Sequence, residues 1–126
     1  GILTLDNFDK SLAEDVMLLT PFTADATDDL TQNFVKTYKE KYEDTPNQFA
    51  ADAYDCVYAI YEAAKKASVT ADMSASDICD KLIAEFTSSD FTFSGLTGNN
   101  VSWSDTGEVS KEPKGMVIKN GVYVGM

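Results

Sequence analysis

A small α/β fold is expected from three features of this sequence. Three segments carry apolar residues at a 3.6-residue period, the period drops to two from Asp90 onward, and Asn120-Gly121 stands between two short apolar runs. The first feature marks amphipathic helices and the second short strands. The third marks a closing hairpin, because both central positions of its tight turn need positive φ. The expected architecture is three helices with short strands and a C-terminal β-hairpin.

Residues 9–14 suggest a short helical turn after the Asp6-Asn7 loop. The run Val16-Met17-Leu18-Leu19, between Glu14-Asp15 and Pro21, is expected to be a parallel strand buried on both faces. Asp25-Ala26-Thr27-Asp28 offers a cap for a first helix over about 27–43, with acidic side chains where the helix dipole favours them. Leu30, Phe34, Tyr38 and Tyr42 form its expected inward stripe, while Lys36, Lys39 and Lys41 gather toward its negative end. Asp44-Thr45-Pro46 breaks it.

Residues 45–67 form the central helix. Phe49, Ala53, Val57, Ile60, Tyr61 and Ala64 fall at offsets 0, 4, 8, 11, 12 and 15, one face of a 3.6-residue period, with Asp52, Asp55, Glu62 and Lys66 on the other. The apolar face is expected in the core. Thr45 as N-cap with Pro46 at the first helical position would start the helix, and Asn47 is the rival cap. The third helix opens at Met73-Ser74-Ala75-Ser76-Asp77-Ile78, where Ser74 caps and Asp77 can return a bond to the cap amide. It is expected to bury Ile78, Leu82, Ile83 and Phe86. Phe91-Thr92-Phe93 and Val101-Ser102-Trp103 then read as short strands separated by Gly95 and Gly98, and residues 116–119 and 122–124 as the hairpin.

The 126 residues, 44% hydrophobic, suffice for one ordinary domain. With 21 acidic and 10 basic side chains the net charge is -11, which repels polyanions over much of the surface, so nucleic acid is not an expected partner. The acidity otherwise reads as a solvated surface. No run approaches the roughly 18 apolar residues of a membrane span. The chain opens inside an apolar run, residues 1–5, as if cut from something longer, and export signals would lie upstream. Cys56 and Cys79 lack metal-ligand spacing and the sequence has no histidine, so no metal or other cofactor is expected. Two buried free thiols are the simplest expectation, and a disulfide would suit an exported protein.

Catalytic chemistry has thin candidates. General acid-base work would fall to carboxylates, lysines, tyrosines or cysteines. Asp52 and Asp55 are three apart on the polar face of a helix, a common pairing, and a cysteine nucleophile has no base at hand. Gly95-Leu96-Thr97-Gly98 reads as a turn rather than a phosphate cradle. An enzyme is not expected.

The central helix carries P-N-Q-F-A-A-D-A-Y-D-C-V-Y, preceded by F-V-K-T-Y-K-E-K-Y. With V-M-L-L-T-P-F at 16–22 and F-S-G-L-T-G-N-N-V-S-W-S-D-T-G at 93–107, this order of segments resembles the type I periplasmic binding proteins that serve branched-chain amino acid transporters. The resemblance covers nearly the whole chain and implies the C-terminal third or so of a two-lobed α/β protein, working outside the cytoplasm with an ABC transporter permease. Residues 1–20 and 114–126 would belong to one lobe and 21–113 to the other, with hinge crossings at Pro21 and Pro113, which can equally be loop prolines. Phe49 would face the ligand between the lobes, against the plainer reading that it is core. The groups for the ligand's charged ends would lie outside this chain, so residues 1–126 are expected not to bind an amino acid unaided. Strand edges left without partners would favour self-association. A different class of reading is a small acidic interaction module presenting Tyr38, Tyr42 and Tyr58 to a protein partner.

Overall fold

The structure, a computed structural model, describes residues 2–126. Gly1, the first residue of the opening apolar run, lies outside them. Three α-helices, α1 (Asp29–Tyr42), α2 (Gln48–Lys66) and α3 (Ala75–Phe86), accompany three strands, β1 (Met17–Thr20), β2 (Lys114–Lys119) and β3 (Val122–Gly125). The chain forms two compact units, one of residues 2–48 with Pro113–Met126 and the other of Phe49–Glu112.

The first unit is built on an antiparallel sheet in the order β1-β2-β3. Met17 pairs with Val117 and Thr20 with Lys114, so β1 runs against β2 and is not the parallel strand expected. An apolar run cannot report direction, which is decided by the partner strand. Nor is β1 buried on both faces. One side of the sheet packs Leu18 and Ile118 against Leu3, Ala13 and Phe8, with Ile118 only 1% exposed. The opposite side presents Met17 and Leu19, 68% and 71% exposed, with Met17 in register with Val117 and Val124 and Leu19 opposite Gly115. β1 and the hairpin strands therefore pair with each other rather than standing without partners, and only the outer edges of β1 and β3 stay unpaired among the described residues.

The hairpin matches its sequence signal. Asn120 and Gly121 take φ of 52° and 76° between β2 and β3. The turn is tied to the chain before β1: the Asn120 amide donates to Glu14 at 2.8 Å, and the Lys119 ammonium pairs with Asp15. A 3-10 turn, Lys10–Ala13, is capped by Asp9, which accepts from the Ser11 amide at 3.0 Å. Helix α1 buries Thr31 and Val35 rather than Leu30 and Tyr42. Its expected stripe survives as a ladder in which Phe34 meets Phe22 edge-on at 6.0 Å and Tyr38 meets Tyr42 at a tilt of 49° with centroids 4.6 Å apart. Phe22 covers only part of that face, so the ends stay in solvent.

The second unit departs further from expectation. Helix α2 starts at Gln48, making Asn47 rather than Thr45 its flanking residue, and buries Ala51, Asp55, Ala59 and Ala63. The face assigned to the core points outward, with Phe49 and Val57 71% and 66% exposed and Ile60 and Tyr61 also in solvent. The small stripe is inside because the segment after α3 brings its own bulk, in Phe91 and Leu96, and is bound to α2 by Lys66 and Asp55. Helix α3 is capped by Ser74, which accepts from the Asp77 amide at 3.2 Å, while the Asp77 carboxylate takes the Ser74 hydroxyl instead of its amide. None of its residues is fully buried and Ile83 is exposed. The two expected strands between 91 and 103 reduce to isolated bridges, Phe93 to Val101 and Trp103 to Val109.

Asp28 caps α1 by accepting from the Thr31 amide at 2.9 Å. That bond outweighs slight desolvation and, with a small contribution from Lys114, holds the carboxyl below the ordinary 3.8. A pKa depressed by folding stabilises above the unfolded value, and the contribution disappears as pH falls through the folded value. Asp28→Ala is expected to lose about 1 kcal/mol at neutral pH. Urea titrations at neutral pH and near pH 3 should show the gap between variant and parent closing in acid.

Candidate functional site

Two carboxylates one helical turn apart organise the second unit. Asp55, 5% exposed, accepts from the Leu96 amide at 2.9 Å, the Thr97 amide at 2.7 Å and the Thr97 hydroxyl at 2.7 Å. These donors replace the water its charge would otherwise hold, which makes burial of a carboxylate tolerable. Gly95 lets the loop come this close, since a Cβ there would sit 2.3 Å from Asp55 Oδ1. Asp52 accepts from Lys111 Nζ at 2.7 Å, both side chains about one-third exposed. The first aspartate of D-A-Y-D thus holds the end of the unit and the second holds its inner turn.

Asp55 is therefore not on the solvated face. The signal was present in the sequence: Ala51, Asp55, Ala59 and Ala63 recur every four residues, so the aspartate sits in a stripe of alanines. Larger residues carry more apolar area and dominated the periodicity. Tyr54 lies half-buried against Tyr58, ring centroids 4.6 Å apart. Burial first, then its hydrogen bond to Tyr58, pushes its phenol above the ordinary 10.0, so it stays protonated at neutral pH and offers no base.

Of the residues singled out for binding or hinging, Phe49 stands in the first turn of α2, three residues before Asp52, its ring in solvent. It is not core. Pro21 follows β1 directly, beside Thr20, whose buried hydroxyl lies 2.8 Å from the Gln48 side-chain oxygen. Pro113 is exposed, between Glu112 and the start of β2. Cys56 and Cys79 are free thiols and both exposed, so the expected burial is corrected: Cys56 lies on the outward side of α2. Cys79 lines an open, mostly apolar groove of about 350 Å³ with Leu82, Ile83, Phe86 and Trp103. Tyr38 and Tyr42 pair in the first unit and Tyr58 pairs with Tyr54 in the second. Among the described residues no cluster of metal-ligating side chains occurs, and no helix is long and apolar enough to cross a membrane.

One unit is thus a helix that pins a glycine turn through one aspartate and a returning chain through another, and the other is built on an antiparallel hairpin sheet. Residues 3–121 match the family model described as periplasmic binding protein, and the chain belongs to that family. Solved structures agree. The substrate-binding protein of an ABC transporter from Desulfitobacterium hafniense, in complex with Leu, superposes with a TM-score of 0.74 at 20% identity over 92% of this chain and 32% of that one. The branched-chain amino acid transporter substrate-binding protein LivJ of Streptococcus pneumoniae, in complex with isoleucine, gives 0.67 at 25% identity over 93% and 32%. A solute-binding protein of Rhodopseudomonas palustris, in complex with 3,4-dihydroxybenzoic acid, gives 0.73 at 19% identity over 99% and 32%. The chain thus spans about a third of the length of these relatives. No curated protein matches it.

Asp55→Ala leaves the Leu96 and Thr97 amides without an acceptor, at about 1 to 3 kcal/mol for each buried group. Chemical denaturation should show a loss of about 3 kcal/mol, whereas Asp80→Ala, at an exposed site on α3, should stay within about 0.5 kcal/mol of the parent.

Proposed function

We propose that this chain is the C-terminal part of an extracytoplasmic solute-binding protein that captures a branched-chain or related amino acid for an ABC importer and delivers it to the permease without chemical change. The observation that carries the reading is the family match over residues 3–121. Phe49 gives it a residue. Its exposed ring, on a helix start fixed by the Asp52 pair, is suited to pack against the apolar side chain of a ligand. In this reading residues 1–20 and 114–126 serve one lobe and 21–113 the other, with Pro21 and Pro113 at the crossings. The change of compact unit between Glu112 and Pro113 supports the second crossing; the other change falls after Gln48, beyond Pro21.

The product of the full reading frame is expected to bind leucine or isoleucine with a micromolar dissociation constant or tighter by titration calorimetry. Phe49→Ala should weaken binding about tenfold, or about 1.4 kcal/mol, without lowering thermal stability. A preference for an aromatic acid such as 3,4-dihydroxybenzoic acid over the amino acids would reassign the ligand class. The 126-residue chain by itself should give no saturable heat; a micromolar constant from it, requiring roughly 8 kcal/mol, would show that the site is complete within these residues.

By itself the chain is also expected to self-associate. The open edge of β1 carries Met17 and Leu19 on an exposed apolar face, a template for a strand from another copy. Sedimentation at micromolar concentration should show dimers or larger species that strengthen with salt, as screening relieves the repulsion of a net charge of -11. Leu19→Lys should return the chain to a monomer, and a parent that sediments as a monomer at every salt concentration would remove the proposal.

A further inference from the structure

Lys111 is the last residue but one of the second unit, and its ion pair reaches back 59 positions to Asp52 on α2. The surrounding chain is also fixed: the Ser110 amide donates to the Ser102 carbonyl at 3.0 Å and the Lys111 amide to the Val109 carbonyl at 3.2 Å. Immediately beyond, Glu112 and Pro113 are exposed. Proline also lacks the amide hydrogen a further backbone bond would need. Restraint therefore ends abruptly after Lys111. The ion pair lies one helical turn from Phe49, within the spacing at which helix side chains are neighbours.

We propose that Asp52 and Lys111 are positioning residues that act as a latch. They clamp the returning chain to α2 and confine the pivot of the second crossing to Glu112 and Pro113. Resting on the solute-binding reading above, this makes the pair a determinant of how far the lobes open. Without it the pivot extends back through Lys111 toward Val109, opening is less restricted, and bound solute leaves faster.

The test has two arms. On the 126-residue chain, hydrogen exchange at Ser110 and Lys111 should accelerate about tenfold in Asp52→Asn, with Met116 and Ile118 in β2 unchanged. The charge-reversed double variant D52K/K111D should restore protection, which loss of packing would not allow. Unchanged exchange at these two amides, or no recovery in the double variant, overturns the latch whatever the protein binds. On the full-reading-frame protein, Lys111→Met should raise the dissociation rate of leucine about fivefold and leave the association rate within twofold. Equal changes in both rates, or none, would mean that the clamp does not govern opening. If the parent protein binds no amino acid, the solute reading fails, while the exchange arm still decides the clamp.

Discussion

Most of the second unit depends on one buried carboxylate. Asp55 gathers two backbone amides and a hydroxyl from a single turn, so α2 and the 95–98 loop cannot part without exposing or stranding several polar groups at once. The arrangement compensates for a thin interior. Its buried apolar side chains are Phe91, Leu96 and Val101 with three alanines of α2, and Thr97, buried among them, has its hydroxyl satisfied by Asp55. Where little apolar area is removed from water, directional bonds that are costly to break take a larger share in fixing one arrangement. Gly95 belongs to the same device, because any side chain there would occupy the place of the Asp55 oxygen.

Elements with local signals were legible in the sequence. Asn120-Gly121 fixed its hairpin through backbone preference alone, Ser74 and Asp77 marked the start of α3, and the residues themselves suggested the resemblance to periplasmic binding proteins. What the sequence did not disclose was decided by partners. Val16 to Leu19 read as a strand but not as an antiparallel one, because direction lies in its pairing with 114–117. Phe49, Val57, Ile60 and Tyr61 read as core because large apolar residues on one helix face normally find cover, and here that face is exposed. Of the candidate site, the position of Phe49 at a helix start was foreseen in outline. Asp55 was set on the wrong side, and Lys111 was not singled out, since a lysine 59 residues away gives no local sign of its partner.

The two faces of α2 therefore answer to different constraints. Its inner stripe is small and includes a charge, a composition that permits close approach of a bulky loop and demands a specific set of donors. Its outer stripe is large and apolar, and tolerates substitution as far as the rest of this chain is concerned. Hydrophobic periodicity measures how apolar residues are distributed around a helix, not which side is covered. A helix with alanines on one side and aromatics on another yields the wrong answer whenever the bulk of the packing comes from the loop.

That division also accounts for both carboxylates of the D-A-Y-D segment by partners within the unit. Asp55 faces inward and both its oxygens accept from its loop; Asp52 is paired through one oxygen with Lys111. Neither has an obvious spare role in catalysis, and Tyr54, driven toward its protonated form by burial, supplies no base. In the proposed reading the group offered to a small molecule at this end of the helix is the exposed Phe49 ring, which would contribute contact area rather than chemistry. A surface of this kind can hold a solute and release it unchanged. Rigidity beneath it then matters more than reactivity within it, because a ring on a helix start that shifts by an ångström loses the fit on which weak, numerous contacts depend.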